Sequence, residues 1–155
     1  MPFLPDLGYN KSPKPPPTAG HTERKNTMIY GIGYDLCQIE RMEKSLQSKK
    51  FCERVFGKAE WAALGALGPH RRAESAAACF AAKEAFLKAA GTGLGGFALC
   101  EVQALRKESG APYYALTGSA AEWLKANGLK AHLSLTHENG LAAAMTILEK
   151  TSPTE

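Results

Sequence analysis

The chain has 155 residues, 45% of them hydrophobic, which gives room for one domain with a real core. Its 19 Lys and Arg against 15 Asp and Glu leave +4, and the first 27 residues hold half of that excess, so the remainder is charged too mildly to argue for nucleic acid. No apolar run reaches membrane-spanning length. Cys37, Cys52, Cys79 and Cys100 are scattered without CxxC spacing, which speaks against zinc and for reduced thiols of a cytoplasmic protein.

Residues 1–27 differ in kind from the rest. Six of the nine prolines lie there, and no continuous hydrophobic stretch resembles a secretory core. The segment reads as a disordered Pro-rich extension, locally stiff at Pro15-Pro16-Pro17. A strand follows over 28–37, with two unlike faces. Tyr30, Ile32, Tyr34 and Leu36 make one face bulky, while Gly31 and Gly33 leave the other bare until Asp35. Glycines inside a strand cost stability and mark the close approach of a backbone or ligand. Helical pieces come next over 40–49, 51–55 and 58–67, before a Gly68-Pro69 break. They carry Arg41, Lys49, Lys50, Arg54 and Lys58, either a solvated surface or a basic patch for an acidic protein partner.

The main helix spans 71–90 and stops at Gly91, a fitting C-cap residue. Ala77, Phe80, Glu84 and Leu87 share one stripe of it, so a carboxylate sits on an apolar face and must be compensated. One compensation is an ordinary ion pair with Lys88, four residues on. The other is convergence with Asp35, since a helix packed on the bare strand face would bring the two acids together. Such a pair shares a proton or binds a hard cation, most simply Mg²⁺ with retained waters. Strands over 98–107, 112–117, 131–137 and 141–149 and a helix over 119–127 complete the order, with Asn139-Gly140 as the strongest hairpin signal. The pattern is α+β: an antiparallel sheet packed with a long central helix, without the alternation of a doubly wound fold and without a G-x-x-x-x-G-K-[ST] loop.

Three motifs carry a resemblance. Gly31-Ile32-Gly33-Tyr34-Asp35, the helix Phe80-Ala81-Ala82-Lys83-Glu84-Ala85-Phe86-Leu87-Lys88 and the late Ser134-Leu135-Thr136-His137 stand in the order and rough spacing of the holo-[acyl-carrier-protein] synthases, the small 4′-phosphopantetheinyl transferases. The similarity extends through 39–43, 53–56, 91–93 and 110–113, and covers 28–149. It divides the chain into an extension (1–27), a transferase domain (28–149) and a flexible tail (150–155), with Met28 either the natural start or the end of a genuine tail. Two positions depart from the family pattern: Cys79 stands where many relatives have Arg, a loss that Arg71 or Arg72 would have to make good, and Thr136 stands where many have Ser.

The resemblance implies transfer of 4′-phosphopantetheine from coenzyme A to a serine of apo acyl carrier protein, for fatty acid biosynthesis, releasing adenosine 3′,5′-bisphosphate. Asp35 and Glu84 match the family's Mg²⁺ ligands, and Lys88 a residue that holds phosphate oxygens or steadies the leaving group. The serine proton goes either to Glu84 or to a water on the cation. Lys83 points to another face and is either a substrate contact or solvated. Gly91-Thr92-Gly93 is either a helix cap and turn or a coenzyme A contact, and His137 either a half-buried histidine or a coenzyme A-binding residue. Arg41 and Arg54 match carrier-docking positions. The family also implies a homotrimer with each site between neighbours; apolar positions such as Leu133, Leu135, Met145 and Ile147 need cover either from the chain's own helices or from another subunit. Two other classes fit parts of the pattern: another Mg²⁺-dependent enzyme of nucleotides or pyrophosphates, and a non-catalytic carrier-binding module.

Overall fold

The glycines of the first strand determine how the long helix sits. In the computed structural model, which describes residues 28–151, β1 (Met28–Gln38) lies against α4 (Pro69–Ala90). A Cβ on Gly31 would run into the carbonyl oxygen of Ala89, and one on Gly33 into that of Ala85. Only bare backbone permits this approach. On the helix side, Ala76, Ala77, Ala81, Ala82 and Ala85 are all fully buried. Small residues on both elements thus let backbone pack on backbone. Gly91 closes α4 in the left-handed conformation at φ 72°, and its amide donates to Leu87 and Lys88 carbonyls.

The remaining elements are α1 (Ile39–Ser45), α2 (Lys49–Val55), α3 (Lys58–Gly65), β2 (Val102–Arg106), β3 (Pro112–Leu116), α5 (Gly118–Ala126), β4 (Leu129–Glu138) and β5 (Leu141–Lys150). The strands make an antiparallel sheet in the order β1-β5-β4 and a separate β2-β3 hairpin, two sheets where the sequence suggested one. The β4-β5 turn is the expected Asn139-Gly140, with φ of 49° and 78°. Phe86, Leu87 and Leu148, all fully buried, each contribute roughly 1.5–3 kcal/mol of apolar burial.

Three boundaries differ from expectation for local reasons. The helix expected over 40–49 breaks, because the Ser48 hydroxyl accepts the Phe51 amide at 3.3 Å and starts α2. The strand expected from 98 begins instead as a 3₁₀ turn, Leu99–Glu101. Its Glu101 carboxylate accepts from the Ser119 hydroxyl (2.6 Å) and the Ala120 amide (3.3 Å), which holds the turn against the start of α5. At the other end β5 continues to Lys150, one residue beyond the expected strand, and the Thr151 amide donates to Gly128 at 2.9 Å. The expectations for residues 1–27 and 152–155 lie outside the described residues. Among those described, no helix is long and apolar enough to cross a membrane.

The register separates the four apolar positions that needed cover. Leu133 and Leu135 pair with Thr146 and Ala144 and pack into the core beneath α4. Met145 pairs with Tyr34 and Ile147 with Ile32, on the opposite face. There Ile32, Tyr34, Leu36 and Met145 stay exposed, a contiguous apolar surface that this chain alone leaves open.

Candidate active site

Asp35 leaves β1 on its bare face, two residues beyond Gly33, and so turns toward α4. The Lys88 ammonium, in the last turn of that helix, donates to Asp35 Oδ1 at 2.7 Å and to the Tyr34 carbonyl at 3.1 Å. Lys88 therefore pairs with the strand acid and not with Glu84. Glu84 is half-buried, and no hydrogen bond or ion pair to its carboxylate is found among the described residues. Burial, first, and then the charge of Asp35 raise its pKa, while Lys88 opposes them. Two acids that repel each other across a partly dry space, with one cation beside them, make a site short of positive charge.

Both acids line a cleft of 1300 Å³. Phe80 and Glu84 of α4 form one wall, and residues 97–100 form another. Arg41 of α1 and Lys50 and Arg54 of α2 stand along its mouth, all exposed. Glu53 reaches the cleft as well, 3.7 Å from Lys49. The structure thus gathers Asp35, Glu84, Arg41 and Arg54 around one space, with Lys88 attached through Asp35.

The donor set suits a hard divalent cation. No cluster of three or more His, Cys, Asp and Glu occurs among the described residues, so a cage made wholly of protein is absent from them. Two carboxylates without a further protein ligand match Mg²⁺, which keeps waters and takes oxygens from a phosphate substrate.

The other positions singled out in the sequence lie elsewhere. Gly91, Thr92 and Gly93 are exposed beyond the end of α4, close to the start of β1, since Ala89 abuts Gly31. His137 is exposed, not half-buried, and pairs with Ala142, level with Cys37 and two strands from β1. None of these four residues lines the cleft within one chain. Lys83 requires a correction. It is neither solvated nor at the cleft surface: its side chain is 0% exposed, and its ammonium pairs with Glu60 at 2.6 Å. Nor does Arg72 replace the missing family arginine in the cleft, because its guanidinium donates to the Leu64, Gly65 and Leu67 carbonyls at the end of α3. Cys79 fills core space, its thiol turned to the Ala104 carbonyl at 3.6 Å and its ionisation suppressed by burial.

Sequence reasoning missed the aromatic and backbone wall made by Phe80, Phe97, Leu99 and Cys100. Phe80 was readable, since it shares the stripe of Glu84. The 97–100 segment was not, because what places it is far away in sequence.

The chain is also similar to known proteins. A profile of the 4′-phosphopantetheinyl transferase superfamily matches residues 31–145. The holo-[acyl-carrier-protein] synthase of Treponema denticola is 45% identical over 125 residues, 79% of this chain and 99% of that protein. The synthase of Variovorax paradoxus is 40% identical over 131 residues, again 79% and 99% of the two chains. Among solved structures, a holo-(acyl-carrier-protein) synthase from Bacillus anthracis in complex with CoA (3′,5′-ADP) superposes with a TM-score of 0.69 at 33% identity, over 80% of this chain and 99% of that one. The holo-[acyl-carrier-protein] synthase of Neisseria meningitidis gives 0.71 at 30% identity, over 79% and 100%.

Proposed function

Because the chain belongs to the 4′-phosphopantetheinyl transferase superfamily, we infer that it transfers 4′-phosphopantetheine from coenzyme A to a serine of apo acyl carrier protein. The observation that carries this reading is the convergence of Asp35 and Glu84 in a cleft whose mouth is lined by Arg41 and Arg54. The serine oxygen bonds to the phosphorus that bears the pantetheine. The bond from that phosphorus to the bridging pyrophosphate oxygen breaks, and adenosine 3′,5′-bisphosphate leaves with that oxygen.

Asp35 and Glu84 would hold a Mg²⁺ ion, which when bound supplies neutralisation of pyrophosphate charge and polarisation of the attacked phosphorus. The chain's own groups do the remainder. Lys88, largely exposed and hinged on a flexible stem, offers its ammonium to phosphate oxygens at the rim. Of the cleft carboxylates Asp35, Glu53 and Glu84, only Glu84 lacks a hydrogen-bond or ion-pair partner among the described residues, so it is the one open to the serine proton. All four cysteines are free thiols, which supports a cytoplasmic place of action.

Arg41 and Arg54 serve the acidic carrier. Arg41→Glu and Arg54→Glu are each expected to raise the KM for carrier roughly tenfold, with the KM for coenzyme A nearly unchanged, and wild-type turnover should fall with added salt. Initial rates over both substrates at two ionic strengths measure this. Equal losses for both substrates, or kinetics indifferent to salt, would point instead to an enzyme acting on a small nucleotide or pyrophosphate.

The working unit is a homotrimer. The apolar face of Ile32, Tyr34, Leu36 and Met145 supports it, since a closed ring of three buries equivalent faces and leaves no open contact. His137, which does not line the cleft of its own chain, would then serve the cleft of a neighbour. Mixing a His137→Ala protein with an Asp35→Ala protein is expected to recover transfer that neither shows alone, as hybrid rings contain one intact site. A fully active monomer by light scattering at assay concentration would end this proposal.

A further inference from the structure

The buried lysine of the central motif has more partners than a structural ion pair requires. Lys83 Nζ donates to Glu60 Oε2 at 2.6 Å, to the Val102 carbonyl at 2.6 Å and to the Leu99 carbonyl at 3.2 Å. All three of its donors are used. The Phe56 ring lies below it, 5.8 Å from ammonium to centroid. Glu60 is itself fixed, accepting from the Ala104 amide at 2.9 Å and, more loosely, from the Gly57 amide at 3.4 Å. Side-chain exposure is 0% for Lys83 and 1% for Glu60.

What Lys83 holds matters more than that it is held. Leu99 and Val102 bracket the 3₁₀ turn Leu99–Glu101, and residues 97–100 line the same cleft as Phe80 and Glu84 of α4. Glu84 is the next residue along α4 and faces into that cleft. One ammonium therefore joins the helix that presents Glu84 to the 97–100 segment that lines the same cleft. A single methylene-scale shift at such a joint changes the distance across the substrate space.

We propose that Lys83 is a positioning residue for the transfer: by bonding the Leu99 and Val102 carbonyls from the helix position beside Glu84, it sets the spacing between Glu84 and the 97–100 wall within which coenzyme A is bound. The proposal rests on the transferase reading above. It gives Lys83 no contact with substrate, and it makes Glu60 its anchor. Burying a charge pair is at best neutral for stability against apolar residues of similar volume. Retaining a pair here serves the directional hold on two carbonyls, which no apolar side chain supplies.

Lys83→Met alone leaves the Glu60 carboxylate buried without its partner and is expected to lower the melting temperature sharply. The informative variant is Lys83→Met with Glu60→Gln, which removes both charges and keeps an acceptor for the Ala104 amide. It is expected to fold and to melt above Lys83→Met alone, though below wild type because the Leu99 and Val102 carbonyls lose their ammonium donor. It should show at least a tenfold higher KM for coenzyme A, a lower kcat and an unchanged KM for carrier. Hydrogen exchange of the Glu101 and Val102 amides, both bonded within the turn, should be at least tenfold faster in it, with α4 amides unaffected. A double variant that melts and turns over like wild type overturns the proposal. If the double variant does not fold, wild-type exchange decides. Glu101 and Val102 amides protected to the level of α4 support the joint, and free local opening of these two amides overturns it. A wild-type protein without transfer activity would count against the transferase reading, while the exchange result would still judge the joint.

Discussion

Asp35→Ala and Glu84→Ala are each expected to lower kcat/KM for phosphopantetheine transfer by about a hundredfold or more, while the protein stays folded. The chemistry demands this. The attacked phosphorus is surrounded by negative oxygens, and two carboxylates near it obstruct attack unless a cation joins them to the substrate. Remove either acid and the cation loses one of its two protein ligands. Stability should respond differently. Glu84 has its pKa raised by burial and by Asp35, so the folded state disfavours its charge at neutral pH. Glu84→Ala is therefore expected to melt no lower than wild type in chelated buffer. Asp35→Ala frees Lys88 from an exposed pair worth little by itself. Steady-state kinetics with a thermal melt on each variant checks both statements. Two variants near the wild-type rate at saturating Mg²⁺ would remove Asp35 and Glu84 from the metal site.

Gly33→Ala is expected to be the most damaging methyl group that can be added to β1. Its Cβ would overlap the Ala85 carbonyl oxygen and fall 2.8 Å from the Ala89 nitrogen. These are backbone atoms of a buried helix, so neither side can yield by changing a rotamer. The strand must move off the helix, at a cost of about 3 kcal/mol. For a domain of this size that is a fall in Tm of roughly 6–12 °C. Activity should fall further than stability explains, because Asp35 lies two residues along the same face and would retreat from Glu84. Gly65→Ala is the control: its Cβ would meet nothing within 4 Å. A Gly33→Ala protein as stable as that control would contradict the backbone-on-backbone packing.

The bare glycine face, the acid on an apolar helix stripe and the Asn-Gly turn were all legible in the sequence, because each is a local pattern, although the acid on the stripe allowed two solutions, a pair with Lys88 or convergence with Asp35. The convergence of Asp35 with Glu84 followed from two such patterns taken together. Lys83 was misread for the opposite reason. A lysine on a helix reads as solvated unless its partner is known, and Glu60 sits 23 residues earlier, on another helix. The 3₁₀ turn at Leu99–Glu101 was hidden with it, since the Leu99 carbonyl within it and the Val102 carbonyl just after it both answer to that lysine. Leu133 and Leu135 were grouped with Met145 and Ile147 as faces needing cover. The register places the first pair under α4 and the second on the open face, a distinction that strand pairing makes and composition does not.

The most direct test is to incubate the purified full chain with coenzyme A and apo acyl carrier protein, with Mg²⁺ and with chelator, and to weigh the carrier by intact-mass spectrometry. The expected result is a carrier heavier by one phosphopantetheine on its serine, formed with an equal amount of adenosine 3′,5′-bisphosphate and only in the presence of Mg²⁺. A carrier that stays apo, under conditions where a control transferase converts it fully, would contradict the assignment.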